Sequence, residues 1–215
     1  VIRAAQIGFD LKVEGVTAVY SWPSKASLLG YAADEATVES SEDFAKEFLE
    51  LVALQSGVEE VDVIAHSMGN RALIRAVNAL APAMKRAGKK FGQIFLAAPD
   101  VDLDTFKRLA NIYPSISTRT TLYVSSKDLA LKASAFVHGG YNRAGFYPPI
   151  TSLPGIDTVQ VSNVDLSVLG HGYFSTLEPV LHDMFDLMRS NLSPSQRIRL
   201  RPVRLNGEPE HWEIA

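Results

Sequence analysis

Between residues 61 and 125, short runs rich in β-branched side chains alternate with stretches of helical periodicity, and no other feature restricts the fold as strongly. Strand-type segments stand at residues 61–65, 93–97 and 120–125, with helical ones at 68–80 and 105–111 between them. Parallel neighbours in a sheet need a long crossover, usually a helix. The order therefore predicts an α/β fold: a mostly parallel central sheet with helices on both faces. A further strand over 158–162 leads through a loop to a long helix that aligns Leu177, Leu181, Met184, Phe185 and Met188.

The flanks are read in the same way. Ile2, Ala5 and Phe9 fall at helical spacing, so the chain opens in a helix; residues 16–21 read as a strand ended by Trp22-Pro23-Ser24. Residues 24–41 form a loop with room for a short helix. Ser40 and Asp43 have capping-box spacing before a helix whose apolar face is Phe44, Phe48, Leu51 and Val52. Residues 139–155, rich in Gly, Pro and aromatics without a period, make a long loop, which in a compact domain points to function or disorder. In the tail, Arg197, Arg199 and Arg201 alternate with Ile198 and Leu200, and Asn206-Gly207 predicts a hairpin over 197–214. The arginines read as the charged outer face of a half-buried strand, a basic patch being the alternative.

The 215 residues, 47% of them hydrophobic, suffice for one core, so a single domain over 1–215 is expected. A net charge of −3 with interspersed signs gives no reason to expect a nucleic-acid partner. No apolar run has membrane-spanning length and no leader-type segment is present, but the chain opens on Val1, so cytoplasmic and exported locations both stay open. The absence of cysteine excludes disulfides, thiolate metal sites and a cysteine nucleophile. No two histidines have ligand spacing on one helix, and Gly69-Asn70-Arg71 lacks the lysine and spacing of a phosphate loop. Neither a metal nor an organic cofactor is expected.

Chemistry concentrates at Ala65-His66-Ser67-Met68-Gly69, between the first strand of the alternating region and its helix. A sharp strand-to-helix bend flanked by small residues projects one side chain from the sheet edge, the setting of a nucleophile elbow. Ser67 is the candidate nucleophile. Met68 N–H, in the first helical turn, is the candidate oxyanion donor.

A serine nucleophile needs a base, and sites in open parallel sheets lie beyond the carboxyl ends of the strands. His171, in Gly170-His171-Gly172 between the last strand and the final helix, meets that condition, with His138 as the rival. His66 sits inside the bend, His182 within a helix and His211 in the tail. The orienting carboxylate is Asp128, after the strand at 120–125, or Asp100, after the strand at 93–97; each could equally be an N-cap. Asp128 gives the chain order serine, acid, histidine.

Taken together, Ser21-Trp22-Pro23-Ser24 with Tyr31 and Asp34, Ala65 to Asn70, Ala98-Pro99-Asp100-Val101-Asp102, Ser125-Ser126-Lys127-Asp128 and His171-Gly172-Tyr173-Phe174 carry a resemblance. The chain resembles the α/β-hydrolase superfamily, and within it a bacterial, esterase/lipase-like branch long catalogued as a domain of unknown function (DUF900-like). The resemblance implies an α/β-hydrolase fold, with Ser67 as nucleophile, Asp128 as acid and His171 as general base. Members carry, before the first helix, a strand and a His-Gly type loop that gives the second oxyanion N–H. No such segment precedes Ile2, and the missing strand would lie between those at 16–21 and 61–65.

The leading expectation is a serine hydrolase of carboxylic esters, with a small-molecule ester as its partner. The alternatives are a non-catalytic binding or scaffold domain of the same fold, and an acyltransferase using the same triad. Tyr31, Phe146 and Tyr147 are candidate pocket-lining rings, with core cover as the alternative. Acyl length and leaving alcohol would be set by the loops at 24–41 and 139–155. Oligomeric state is not written in the sequence.

Overall fold

A computed structural model describes residues 2–25, 31–161 and 178–214. The helices are α1 (Ile2–Asp10), α2 (Tyr31–Ser40), α3 (Glu42–Glu50), α4 (Gly69–Ala87), α5 (Leu103–Leu109), α6 (Tyr113–Ile116), α7 (Leu129–Val137) and α8 (Glu178–Ser190). The strands are β1 (Val63–His66), β2 (Phe91–Ala97), β3 (Ser117–Val124), β4 (Asp157–Val161), β5 (Leu200–Leu205) and β6 (Glu208–Ile214). They form one sheet in the order β1-β2-β3-β4-β6-β5. Every neighbouring pair is parallel except the β5–β6 hairpin, as the strand and helix alternation requires.

Apolar residues of the central strands alternate between two cores. Ile94, Leu96, Leu122 and Val124 face one built with Val38 of α2, Leu49 of α3 and the α4 residues Leu73, Val77, Leu80 and Met84. Phe95, Tyr123, Val159 and Val161 face the other, closed by Leu11, Leu131, Met184, Leu187, Leu200 and Ile214. Burial on both faces explains why β2 reads as an unbroken apolar run.

Several local expectations are corrected. Residues 16–21 form no strand: among the described residues no strand pairs with them, and Val16 stands open to solvent. The opening helix exists, but Ile7, Leu11 and Val13 meet the core while Ala5 and Phe9 are exposed. Ser41, not Ser40, is the N-cap of α3, and no capping box forms, since Ser40 Oγ donates to Thr37 O (3.0 Å) and Ser41 Oγ to Val38 O (2.9 Å). The buried stripe from there is Ala45, Leu49 and Ala53, one position round from the expected face, leaving Phe44 65% exposed. Small side chains on that stripe let α3 lie close against α4, and close packing outweighs the burial of one ring. Helix α4 continues through Pro82 and stops at Gly88, whose φ of +63° lets its N–H reach Lys85 O at 3.2 Å.

The unperiodic stretch at 139–155 includes a strap across the carboxyl ends of β2 and β3. Leu103 N–H donates to Asn142 O (3.0 Å), Ala144 N–H to Val101 O (2.9 Å), Gly145 N–H to Pro99 O (2.9 Å) and Ser125 N–H to Gly145 O (3.0 Å). Glycine is required at 145, where a Cβ would stand 2.4 Å from the carbonyl carbon of Ala98. At the hairpin, Asn206 and Gly207 both have positive φ, 52° and 91°, the two-residue turn that their identities predict. Its approach departs from the expected alternation: Arg197 is buried and Ile198 is 98% exposed. Arg197 Nε donates to Asp183 Oδ1 at 2.8 Å and its Nη2 to Asp183 Oδ2, which also receives Tyr123 OH at 2.7 Å. An ion pair inside the molecule, unreadable from alternation, reverses the pattern.

Candidate active site

Ser67 follows the last residue of β1 and precedes α4, and its φ is +50°. A non-glycine residue rarely adopts this left-handed conformation, which costs about 1–2 kcal/mol. The bend is held from several directions. Ser67 N–H donates to Ala97 O at 3.0 Å, and Ser67 O accepts from Asn70 N–H (3.1 Å) and Asp100 N–H (3.2 Å). The buried Asn70 amide reaches three carbonyls, Ser67 O at 3.1 Å, Ala65 O at 3.2 Å and Ala97 O at 3.4 Å. Arg71 Nε donates to Asp100 O at 2.6 Å. Sequence reasoning missed Asn70 and Arg71 as braces; a poor helix former in the first turn of α4 is the one signal that could have flagged Asn70. Ser67 itself is only partly buried. Met68, the N-cap of α4, belongs to the turn whose N–H groups lack intrahelical acceptors. Gly69 is less constrained than the motif suggests, since a Cβ there would meet only Trp22 at 3.6 Å.

The two candidate acids sit in different surroundings. Asp128 lies beyond the carboxyl end of β3, is 2% exposed, and caps α7 by accepting Leu131 N–H on Oδ1 at 2.9 Å. Strand β2 lies between β1, which leads into the elbow, and β3, which leads towards Asp128. Asp100 is just as buried; Ser134 Oγ donates to its Oδ1 at 2.7 Å and Tyr31 OH to its Oδ2. Arg71 Nη2 and Arg143 Nε approach Oδ1 at 3.6 and 3.5 Å. Burial first, then the charge and hydrogen bond of Asp100, push the Tyr31 hydroxyl well above its ordinary range. Tyr31 also receives Arg71 Nη2 at 2.9 Å. Asp100 is the hub of a polar knot joining α2, α4 and α7.

His171 lies outside the described residues. The rival, His138, places Nδ1 2.7 Å from Ser134 O and Nε2 3.0 Å from Glu35 Oε1, so both nitrogens are committed to the knot. His182 is exposed beside Glu178 at 3.3 Å, and His211 Nε2 is 3.1 Å from Gln160 Oε1. Of the candidate rings, Tyr31 belongs to the Asp100 knot, while Phe146 and Tyr147 pack against the two cores. Ser24 Oγ and Lys25 N–H both donate to Asp34, at 2.7 and 2.6 Å, which anchors the Trp22-Pro23-Ser24 segment to α2. Among the described residues no three His, Asp or Glu side chains gather to hold a metal ion, and no helix is long and apolar enough to cross a membrane.

A parallel sheet covered on both faces, with a serine in left-handed conformation at a strand-to-helix bend, defines the α/β-hydrolase class. The chain belongs to the family described as alpha/beta hydrolase of unknown function (DUF900), whose model matches residues 1–189. No curated protein and no solved structure gives a significant match.

Proposed function

We propose that the protein is a serine hydrolase that cleaves carboxylic esters through an acyl-enzyme on Ser67. The observation that carries this reading is the backbone at Ser67: φ is +50° at a braced bend beyond the carboxyl end of β1. Backbone strain of this kind clusters at active sites and ligand clamps. Asp128 is the orienting acid and His171 the base. The chain order serine, acid, histidine favours Asp128 over Asp100.

In the first half-reaction His171 takes the Ser67 Oγ proton as Oγ attacks the ester carbonyl carbon. Met68 N–H receives the developing oxyanion. The bond to the leaving alcohol then breaks, and His171 returns the proton to that oxygen. Water attacks the acyl-enzyme with His171 again as base, releasing the carboxylic acid and restoring Ser67. Asp128 stays ionised, fixing the imidazole tautomer and stabilising the imidazolium.

A fluorophosphonate probe followed by peptide mass spectrometry tests the mechanism. The expected result is a single adduct on Ser67, absent in Ser67→Ala and strongly reduced in His171→Ala; an unlabelled Ser67 in folded protein refutes it. Products formed with an added alcohol distinguish hydrolysis from acyl transfer.

A further inference from the structure

The strap over the carboxyl edge carries a group that ester hydrolysis does not use. Arg143, 4% exposed, is fixed by its backbone opposite Asp102 in an antiparallel bridge. Its Nε lies 3.5 Å from Asp100 Oδ1 without hydrogen-bond alignment, and among the described residues neither Nε nor Nη2 has a hydrogen-bond acceptor. Asp100 also accepts from Ser134 and Tyr31 and has Arg71 Nη2 3.6 Å from Oδ1, so Arg143 shares this carboxylate with three other groups. A buried charged donor left unsatisfied is costly, and each instance in a native fold calls for a reason. Arg143 also lines a cleft of about 360 Å³ with Asp102, Asp104, His138 and Tyr141, a volume within the range of small-molecule sites.

The charges of this cleft narrow the choice of ligand. A planar guanidinium fork suits a carboxylate. A bare anion, however, would also meet Asp102 and Asp104, and a bare cation would leave the guanidinium without an acceptor. Asp102 already gives Oδ1 to Thr105 N–H at 2.9 Å, while Asp104 is exposed. Tyr141 adds an exposed ring face, which attracts cations. We propose that this cleft binds the ammonium–carboxylate head of an amino acid, its carboxylate on Arg143 and its ammonium towards Asp104 and the Tyr141 ring. The site is independent of the chemistry at Ser67.

Calorimetric titration of the full chain with L-norvaline, and with pentanoate and butylamine as its two halves, decides the matter. Norvaline is expected to bind at least about tenfold more tightly than either half, a difference of about 1.4 kcal/mol. Arg143→Gln should weaken norvaline by about tenfold or more. Should that variant fail to fold, Asp104→Asn at the surface gives its own answer: norvaline binds more weakly and pentanoate more tightly. Equal binding of norvaline and pentanoate, no binding of norvaline, or an Asp104→Asn variant that treats both probes as the unaltered chain does, each overturns the proposal. Norvaline should titrate Ser67→Ala as it titrates the unaltered chain. A protein that binds norvaline but hydrolyses no ester refutes the hydrolase reading alone.

Discussion

Ser67 holds a conformation that its side chain disfavours, and the neighbouring hydrogen bonds show what enforces it. Asn70 Nδ2, Asp100 N–H and Ala97 O all converge on the bend. Replacing the serine therefore separates strain from chemistry. Ser67→Ala removes the hydroxyl and keeps the strain, whereas Ser67→Gly removes both, so the glycine variant should be about 1 kcal/mol more stable than the alanine variant in urea denaturation. Equal stabilities would mean that the left-handed backbone is not strained. The bend at Ser67 was legible because an elbow is a local pattern of strand, small residues and helix. Its braces were not, because the Asn70 and Arg71 partners Ala97 and Asp100 lie 27 and 29 residues away and arrive only through the parallel pairing of β1 with β2.

Among the elements, those whose signal is local match the sequence best. The Asn206-Gly207 turn is specified by two residues, and the central strands by short apolar runs between helices. The faces of α1 and α3 were less legible, because periodicity allows neighbouring stripes and the partner helix decides between them. The Arg197 segment was least legible, since its partner Asp183 belongs to another element, α8. Burial acts to lower the pKa of Arg197, but its hydrogen bond to Asp183 and the nearby charges hold it above the ordinary value. Removing one member of a buried pair strands the other, so Arg197→Ala should lower the unfolding free energy by about 3–5 kcal/mol. Arg199→Ala and Arg201→Ala, at exposed positions, should stay within about 0.5 kcal/mol. Similar urea midpoints for all three would show that the ion pair contributes nothing.

For the molecule as a whole, the polar knot around Asp100 joins helices from both faces to the carboxyl edge of the sheet, and this gives the fold a response to acid. Burial acts to raise the pKa of Glu35, but the hydrogen bond and charge of Arg71, aided by His138, outweigh it and hold the carboxyl below its ordinary 4.5. A depressed carboxylate contributes stability above its unfolded value and loses it as pH falls through the folded one. The stability gap between the unaltered chain and Glu35→Gln should therefore be full at neutral pH and close below about pH 4.5, in urea titrations across that range. A gap independent of pH would assign the effect to packing. The fold class was legible because alternation admits few topologies. The knot was not, because its members span residues 31 to 143 and meet only in the folded chain.

The kinship of this chain and its folded body end at different residues. The family match stops at residue 189, yet Arg197, which neutralises Asp183, and β6, which lies alongside β4, both come after it. A fragment trimmed to the family limit would bare the flank of β4 and leave a carboxylate in the interior without its counter-ion. Expression boundaries drawn from homology alone would cut through the sheet.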